Sequence, residues 1–334
     1  MLEGVTFALV IVVVLAIAFD YINGFHDTAN AIATSVATRA LHPRHAILMA
    51  TAFNFIGAFA GTAVAKTIGA GLVDEATTTQ AVVAAALVGA IAWDLITWYM
   101  GLPSSSSHAL IGGLLGATII AAGTGALKIS GLVNKVLFPM VTSPLIGFVG
   151  AFLLMLALYW LFRNAKRKPM ARRFRRLQVL SAGYMAFSHG SNDAQKTMGI
   201  ITLALFAAGT IPTVDVPVWV IVVSATALSL GTAVGGWRIM HTMGHRVVAL
   251  EPVHGFAAET TAATVLIATA HFGMPVSTTH VISSAIMGVG SARGPKGVRW
   301  GVARRILIAW VVTIPAAGIV AALSWLVLHT VGFG

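Results

Sequence analysis

Residues 24–31, GFHDTANA, and 190–197, GSNDAQKT, each set an Asp and at least one amide among Val, Ile, Leu, Ala and Phe. Such groups are costly to hold away from water, so their presence in an apolar setting points to a task. Asp27 is flanked by Asn23 and Asn30, and Asp193 by Asn192 and Gln195. Both sets offer oxygen ligands suited to a hard cation, or a carboxylate able to carry a proton. A structural alternative for Asp193 is neutralisation by Lys196, three residues further on. A second pair of stretches, GLPSSSSHALIGGLLG from Gly101 and GMPVSTTHVISSAIMG from Gly273, carries the complementary chemistry. Gly-x-Pro stops one helix and presets the first turn of the next. A fresh helix start presents unpaired N–H groups and the positive end of its dipole. The hydroxyls of Ser105, Ser106, Ser107, Ser277, Thr278 and Thr279 stand beside those starts and complete a cradle for an anion. Hydroxyls that only cap helices would account for one such run. Two runs at matching positions favour a tetrahedral oxyanion gripped from two directions.

The elements that hold these residues follow from composition. The chain has 57% hydrophobic and only 9% charged residues, with a mean hydropathy of +0.89. It is therefore read as an integral membrane protein. The absence of cysteine excludes a disulfide framework and thiolate metal sites. A net charge of +11 could suggest nucleic acid, but 17 of the 21 Lys and Arg lie in four short clusters between apolar runs. That distribution sets topology, and no nucleic-acid partner is expected. Apolar runs fall at 5–38, 46–69, 81–101, 104–122 and 140–162, then at 177–209, 217–238, 247–270, 273–290 and 306–328. The opening of the first, Val5 to Phe19, could pass for a signal peptide, but Glu3 precedes it, it lacks a basic start, and its polar continuation recurs later in the chain. The basic clusters are Arg39 with Arg44, the stretch 163–176, Arg238 with Arg246, and Arg293 through Arg305. Placing all four in the cytoplasm puts Asp74, Lys128, Asp215 and both termini outside.

The two halves also match in sequence. GFHDTANA aligns with GSNDAQKT, and the two Ser/Thr runs align with each other, at offsets of 166 and 172 residues. Residues 1–162 then form a first repeat, 163–176 a basic cytoplasmic linker, and 177–334 a second repeat that starts on the opposite side of the membrane. The expected fold class is an all-α integral membrane protein of two inverted-topology repeats of about five spans each, with broken helices and helical hairpins forming a midplane site. Glu259 is a further acid within a span, and its counterpart in the first half is Leu87. It joins Asp27, Asn30, Asp193 and Gln195 as a candidate for cation binding or coupling. Asp20 and Asp94 suit coupling or hydrogen bonding between helices. Lys66 is expected to snorkel, His26 and His189 are candidate proton relays, and His108 and His280 suit packing behind the hydroxyl runs.

FDYINGFHDTANAIAT, GLPSSSSHALIGG, FSHGSNDAQKTMG and GMPVSTTHVISS together resemble the inorganic phosphate transporter (PiT) family, most of all its bacterial low-affinity permeases. The likeness runs through both halves. It implies a symporter of the cytoplasmic (inner) membrane that imports phosphate, as the free ion or as a neutral metal phosphate, with a co-transported H+ or Na+ and no bound cofactor. By the same resemblance the Asp motifs hold the cation, with Asp27 and Asp193 as metal ligands if it is sodium. The Ser/Thr runs hold phosphate, joined by Asn23 and Asn192. Many eukaryotic relatives have Glu where this chain has Asn54, and sodium coupling is best attributed to that branch. Membrane lipid surrounds such a carrier, and a homodimer is its more frequent assembly. Sulfate permeases resemble the family too, so another tetrahedral oxyanion stays open, as does a passive anion channel. An intramembrane hydrolase would need one Ser with its own base and orienter, whereas this chain duplicates whole runs of hydroxyls.

Overall fold

The computed structural model describes residues 7–333. Glu3, the start of the first expected span and both chain ends, whose side of the membrane was assigned above, lie outside the described residues. The helices of the first half are α1 (Phe7–Ala37), α2 (Pro43–Gly57), α3 (Ala63–Ala70), α4 (Gln80–Met100) and α5 (Ser106–Ala122). A short α6 (Ile129–Gly131) passes through a π turn at Leu132–Leu137 into α7 (Phe138–Leu161). The second half has α8 (Arg167–Ala207), α9 (Val218–Val234), α10 (Trp237–His241), α11 (Pro252–His271), α12 (Thr278–Ser291) and α13 (Trp300–Thr330). Each of the ten expected apolar runs falls on a helix or a broken helix pair. By length and apolarity, α1, α4, Ile129–Leu161 and α13 can cross a membrane, and α9 with Trp237–Arg246, bent by 60°, makes a fifth. The other segments are shorter or carry more polar groups. At 1.5 Å per residue the 14-residue α12 is about 21 Å long, short of a hydrocarbon layer of about 30 Å.

One expectation needs correction. The Asp-bearing segments are not broken, because α1 and α8 run unbroken through Asp27 and Asp193. Asn30 and Lys196 bond from these intact helices to the hydroxyl runs of the other half. The breaks lie instead at 58–62, between α2 and α3, and at Gly235–Gly236, where Gly235 takes a positive φ of 81°. The basic stretch 163–176 joins α7 to α8 and is largely helical. From Arg167 it forms the first turns of α8, as its Arg, Lys, Met and Ala favour. Lys66, expected to snorkel, carries its ammonium to an exposed position and pairs there with Asp215 at 2.8 Å.

Packing repeats across the halves. α1 lies on α9 as α8 lies on α2, and α5 lies on α13 as α12 lies on α7. Gly24 and Gly190, 166 residues apart, sit at two such crossings. A Cβ would come within 2.3 Å of Leu228 O at the first and 2.2 Å of Asn54 O at the second. Isolated bridges pair Val73 with Leu127 and Val248 with Val298, again at matching places. α1 and α8 run antiparallel: Asp20 stands near Thr197, Asp27 near Asp193, and Thr38 bonds to Gln178. Two apolar cores, one around α4 and α5 and one around α11 and α12, lie to either side. Large apolar side chains such as Val141, Leu145 and Leu153 on α7, and Val311, Leu323 and Val327 on α13, point outward. Lipid is the solvent that such a surface fits.

Candidate functional site

The hairpin starts form as the residue types dictate. Gly101 and Gly273 close the preceding helices with φ of 65° and 64°, a conformation that glycine adopts at little cost. Ser105 and Ser277 are the N-caps, each accepting a 3.1 Å bond from the backbone N–H three residues on, of His108 and His280. Pro103 and Pro275 do not open the new helices as expected. They hold the extended links two residues before the caps, where their fixed φ suits non-helical chain. The two starts abut. Ser107 Oγ donates to Val276 O at 3.3 Å, and the His108 and His280 rings lie 4.5 Å apart, with Trp310 stacked on His280.

Facing the starts is the polar stripe shared by α1 and α8. Asp20, Asn23, Asp27, Asn30 and Thr34 recur every three or four residues along α1, so they share one face, and all are buried. Asn30 Nδ2 donates to Thr279 Oγ1 at 2.9 Å and Thr278 Oγ1 at 3.2 Å. Thr278 Oγ1 donates to Asp193 Oδ2 at 3.2 Å. Lys196 Nζ bonds both Asp193 Oδ1 and Ser107 Oγ, so the local pairing weighed for Asp193 is present. His189 Nε2 stands 3.1 Å from Asp193 Oδ2, and its Nδ1 stands 3.1 Å from Asn54 Oδ1. His26 Nδ1 lies 2.6 Å from Asp27 Oδ1, while its Nε2 reaches Thr97 Oγ1 at 3.1 Å and Ser104 Oγ at 3.3 Å. One ligand atom each from Asp27, His189 and Asp193 lies within 4.8 Å of the others. Asp27, Asn30, Asp193 and the Ser/Thr runs thus converge on one buried site.

Other expected residues lie elsewhere. Gln195 is not in the site. Its Oε1 accepts from Val64 N at 2.9 Å and its Nε2 donates to Ser191 O. The first turn of α3 opens at a helix break and needs that acceptor. Glu259 forms a separate station, where its carboxylate accepts from Thr34, from Gln178 Nε2 at 3.2 Å and from Ser181. Asn23 and Asn192 are both fully buried, and the Asn23 amide lies beside the Asp20 carboxyl. Asp94, expected to serve coupling or hydrogen bonding between helices, stands fully buried beside His26, Asp27 and Ser106. Its signal was a lone acid within an apolar helix, three residues before Thr97.

A run of hydroxyls at two opposed helix starts, backed by carboxylates and one ammonium, can hold an anion and a cation side by side. The sequence profile of the phosphate transporter family matches residues 23–321. The chain is 47% identical over 325 residues to a Bacillus subtilis protein named "Probable low-affinity inorganic phosphate transporter", covering 96% of this chain and 97% of that one. A Rhizobium meliloti protein of the same name is 49% identical over 319 residues, covering 95% of each. A solved structure described as "The sodium-dependent phosphate transporter" superposes with a TM-score of 0.88 at 26% identity, covering 98% of this chain and 100% of that one. These relatives are named as transporters, not enzymes, and the chain belongs to the phosphate transporter family.

Proposed function

We propose that the protein imports inorganic phosphate across the cytoplasmic membrane together with a cation, H+ or Na+, by alternating access between two inverted repeats. The observation that carries this reading is the pair of contacts from Asn30 to Thr279 and from Lys196 to Ser107, each joining an Asp-bearing helix of one half to a hydroxyl run of the other. Ser106, Ser107, Thr278 and Thr279 hold the anion there, with the backbone N–H groups of the first turns. Ser105 and Ser277 set those turns, and the buried amide of Asn192 contributes a further donor. Asp27, Asn30 and Asp193 hold the cation, and Glu259 acts in coupling from its separate station. The antiparallel course of α1 and α8 and the matched packing of the two halves support inversion. The shortness of α5 and α12 supports re-entrant hairpins over full spans.

Physics requires the coupling. Moving one charge through 100 mV is worth about 2.3 kcal/mol, so importing a dianion against an inside-negative potential costs roughly 4.6 kcal/mol per 100 mV. At about 1.4 kcal/mol per decade, that is more than three decades of concentration, and a uniporter would drain the cell. Cations bound next to the anion offset this cost. Because the two sites adjoin, through Asn30 against Thr279 and Asp193 against Thr278, opposite charges bound in them attract and each ligand strengthens the binding of the other. The test is uptake of labelled phosphate into proteoliposomes with proton and sodium gradients imposed separately, and with unlabelled sulfate as competitor. Uptake driven by at least one gradient and resistant to sulfate is expected. Uptake without cation dependence would mean a passive channel, and displacement by sulfate would mean a different oxyanion.

A further inference from the structure

The two halves of the central site follow one plan and are filled differently. Position by position, Asp27 corresponds to Asp193, Asn30 to Lys196 and Ser107 to Thr279. The contacts repeat with the positions: Asn30 Nδ2 donates to Thr279 Oγ1, and Lys196 Nζ donates to Ser107 Oγ. In the first half, two buried oxygens one helical turn apart, Asp27 Oδ2 and Asn30 Oδ1, have no hydrogen-bond partner. They form the open half of an oxygen cage of the kind that hard cations take. In the second half that cage is closed. Asp193 Oδ1 accepts from the Lys196 ammonium, and Oδ2 accepts from Thr278. The residue that would have supplied the second oxygen is a lysine, 1% exposed and enclosed by the site.

We propose that the Lys196 ammonium is a tethered cation filling the second-half cation site, which leaves a single site, at Asp27 and Asn30, for a mobile monovalent ion. The inference rests on the function proposed above and specifies its stoichiometry. A lysine ammonium is a compact point charge with three donors. Its acceptors, Asp193 Oδ1 and Ser107 Oγ, are the oxygens that an ion at this place would draw on. Such a charge neutralises Asp193 and attracts the anion as a bound cation would, yet it stays with the protein when the cargo leaves. One cation fewer then crosses per cycle than in a carrier whose second half has an oxygen ligand at this position.

Lys196→Asn recreates the Asp-x-x-Asn spacing of the first half and should open the second site. Purified wild type, K196N and K196M are heated in detergent without phosphate while sodium replaces choline at constant ionic strength. K196N is expected to gain a sodium-specific rise in melting temperature beyond that of wild type, and K196M, with neither charge nor oxygen, is not. In proteoliposomes, phosphate uptake by K196N should be about tenfold or more faster with sodium than with choline on both sides, and the corresponding ratio for wild type should be smaller. If Asn is not tolerated, K196Q brings the same oxygen one methylene further out and is read in the same way. A sodium response in K196N and K196Q equal to that of wild type overturns the proposal, and a loss of phosphate affinity without that response makes Lys196 a ligand of the anion only. Phosphate plays no part in the melting assay, so its result stands apart from failure of wild type to take up phosphate, which would instead defeat the function proposed above.

Discussion

Asp27 and Glu259 are both fully buried acids, yet they sit in different company. Asp27 has a ring nitrogen against one oxygen and nothing against the other, while Glu259 accepts hydrogen bonds from Thr34, Gln178 and Ser181. Amide substitutions separate their roles, since each keeps the shape and removes the charge. Asp27→Asn should abolish net uptake and also phosphate exchange across the membrane at equal concentrations, because cation and anion bind together there. Glu259→Gln should retain exchange while net uptake driven by a pH gradient falls about tenfold or more. Gradient-driven uptake by E259Q at the wild-type rate would remove Glu259 from coupling. At this scale the sequence was informative wherever polarity broke an apolar run, which is how Asp27, Asp193 and the Ser/Thr runs were found. Gln195 was misplaced although its spacing held the clue. Two residues beyond Asp193 on a helix, it faces away and meets α3 instead. The bonds from Asn30 to Thr279 and from Lys196 to Ser107 could not be read, because they depend on how helices of different repeats cross.

Helix crossings set the precision of the site, and two of them rest on the absence of a side chain. At Gly190 a Cβ would meet Asn54 O at 2.2 Å, a backbone atom that cannot swing aside. Gly190→Ala must therefore push α8 away from α2, and overpacking of this kind costs about 1–3 kcal/mol. The shift reaches the site through Asn54, whose side chain lies 3.1 Å from His189 and bonds Thr232 at 2.8 Å. Thermal unfolding of G190A in detergent should start several degrees below wild type, with uptake reduced. Gly125→Ala, where a Cβ meets no atom within 4 Å, should leave both unchanged. Equal melting of G190A and wild type would mean that the crossing is looser than these distances require. Segment positions were legible from apolar length, but the location of breaks was not. Polar residues in a span signal a break only when the backbone lacks partners, and α1 and α8 keep their own ladders while their side chains bond across.

Over the whole molecule, the repeat relation and the charge distribution make one joint demand. The turns Thr124–Ala126 and Pro295–Gly297 occupy corresponding places, each shortly before the last long helix of its half. If the halves are inverted they must lie on opposite sides of the membrane, and if the halves are parallel they must lie on the same side. The second turn lies in the basic stretch Arg293 through Arg305, so the positive-inside rule expects it in the cytoplasm, and inverted halves would then put the first turn outside. The chain contains no cysteine, so a single introduced thiol is an unambiguous reporter. Thr124 and Lys296 are both exposed, which makes Thr124→Cys and Lys296→Cys mild changes. In intact cells a membrane-impermeant maleimide should label T124C at once and K296C only after permeabilisation. Labelling of both from the same side would rule out inversion. The antiparallel course of α1 and α8 would then have to arise without an opposite start for the second half, and alternating access could not come from exchanging the roles of two equivalent repeats.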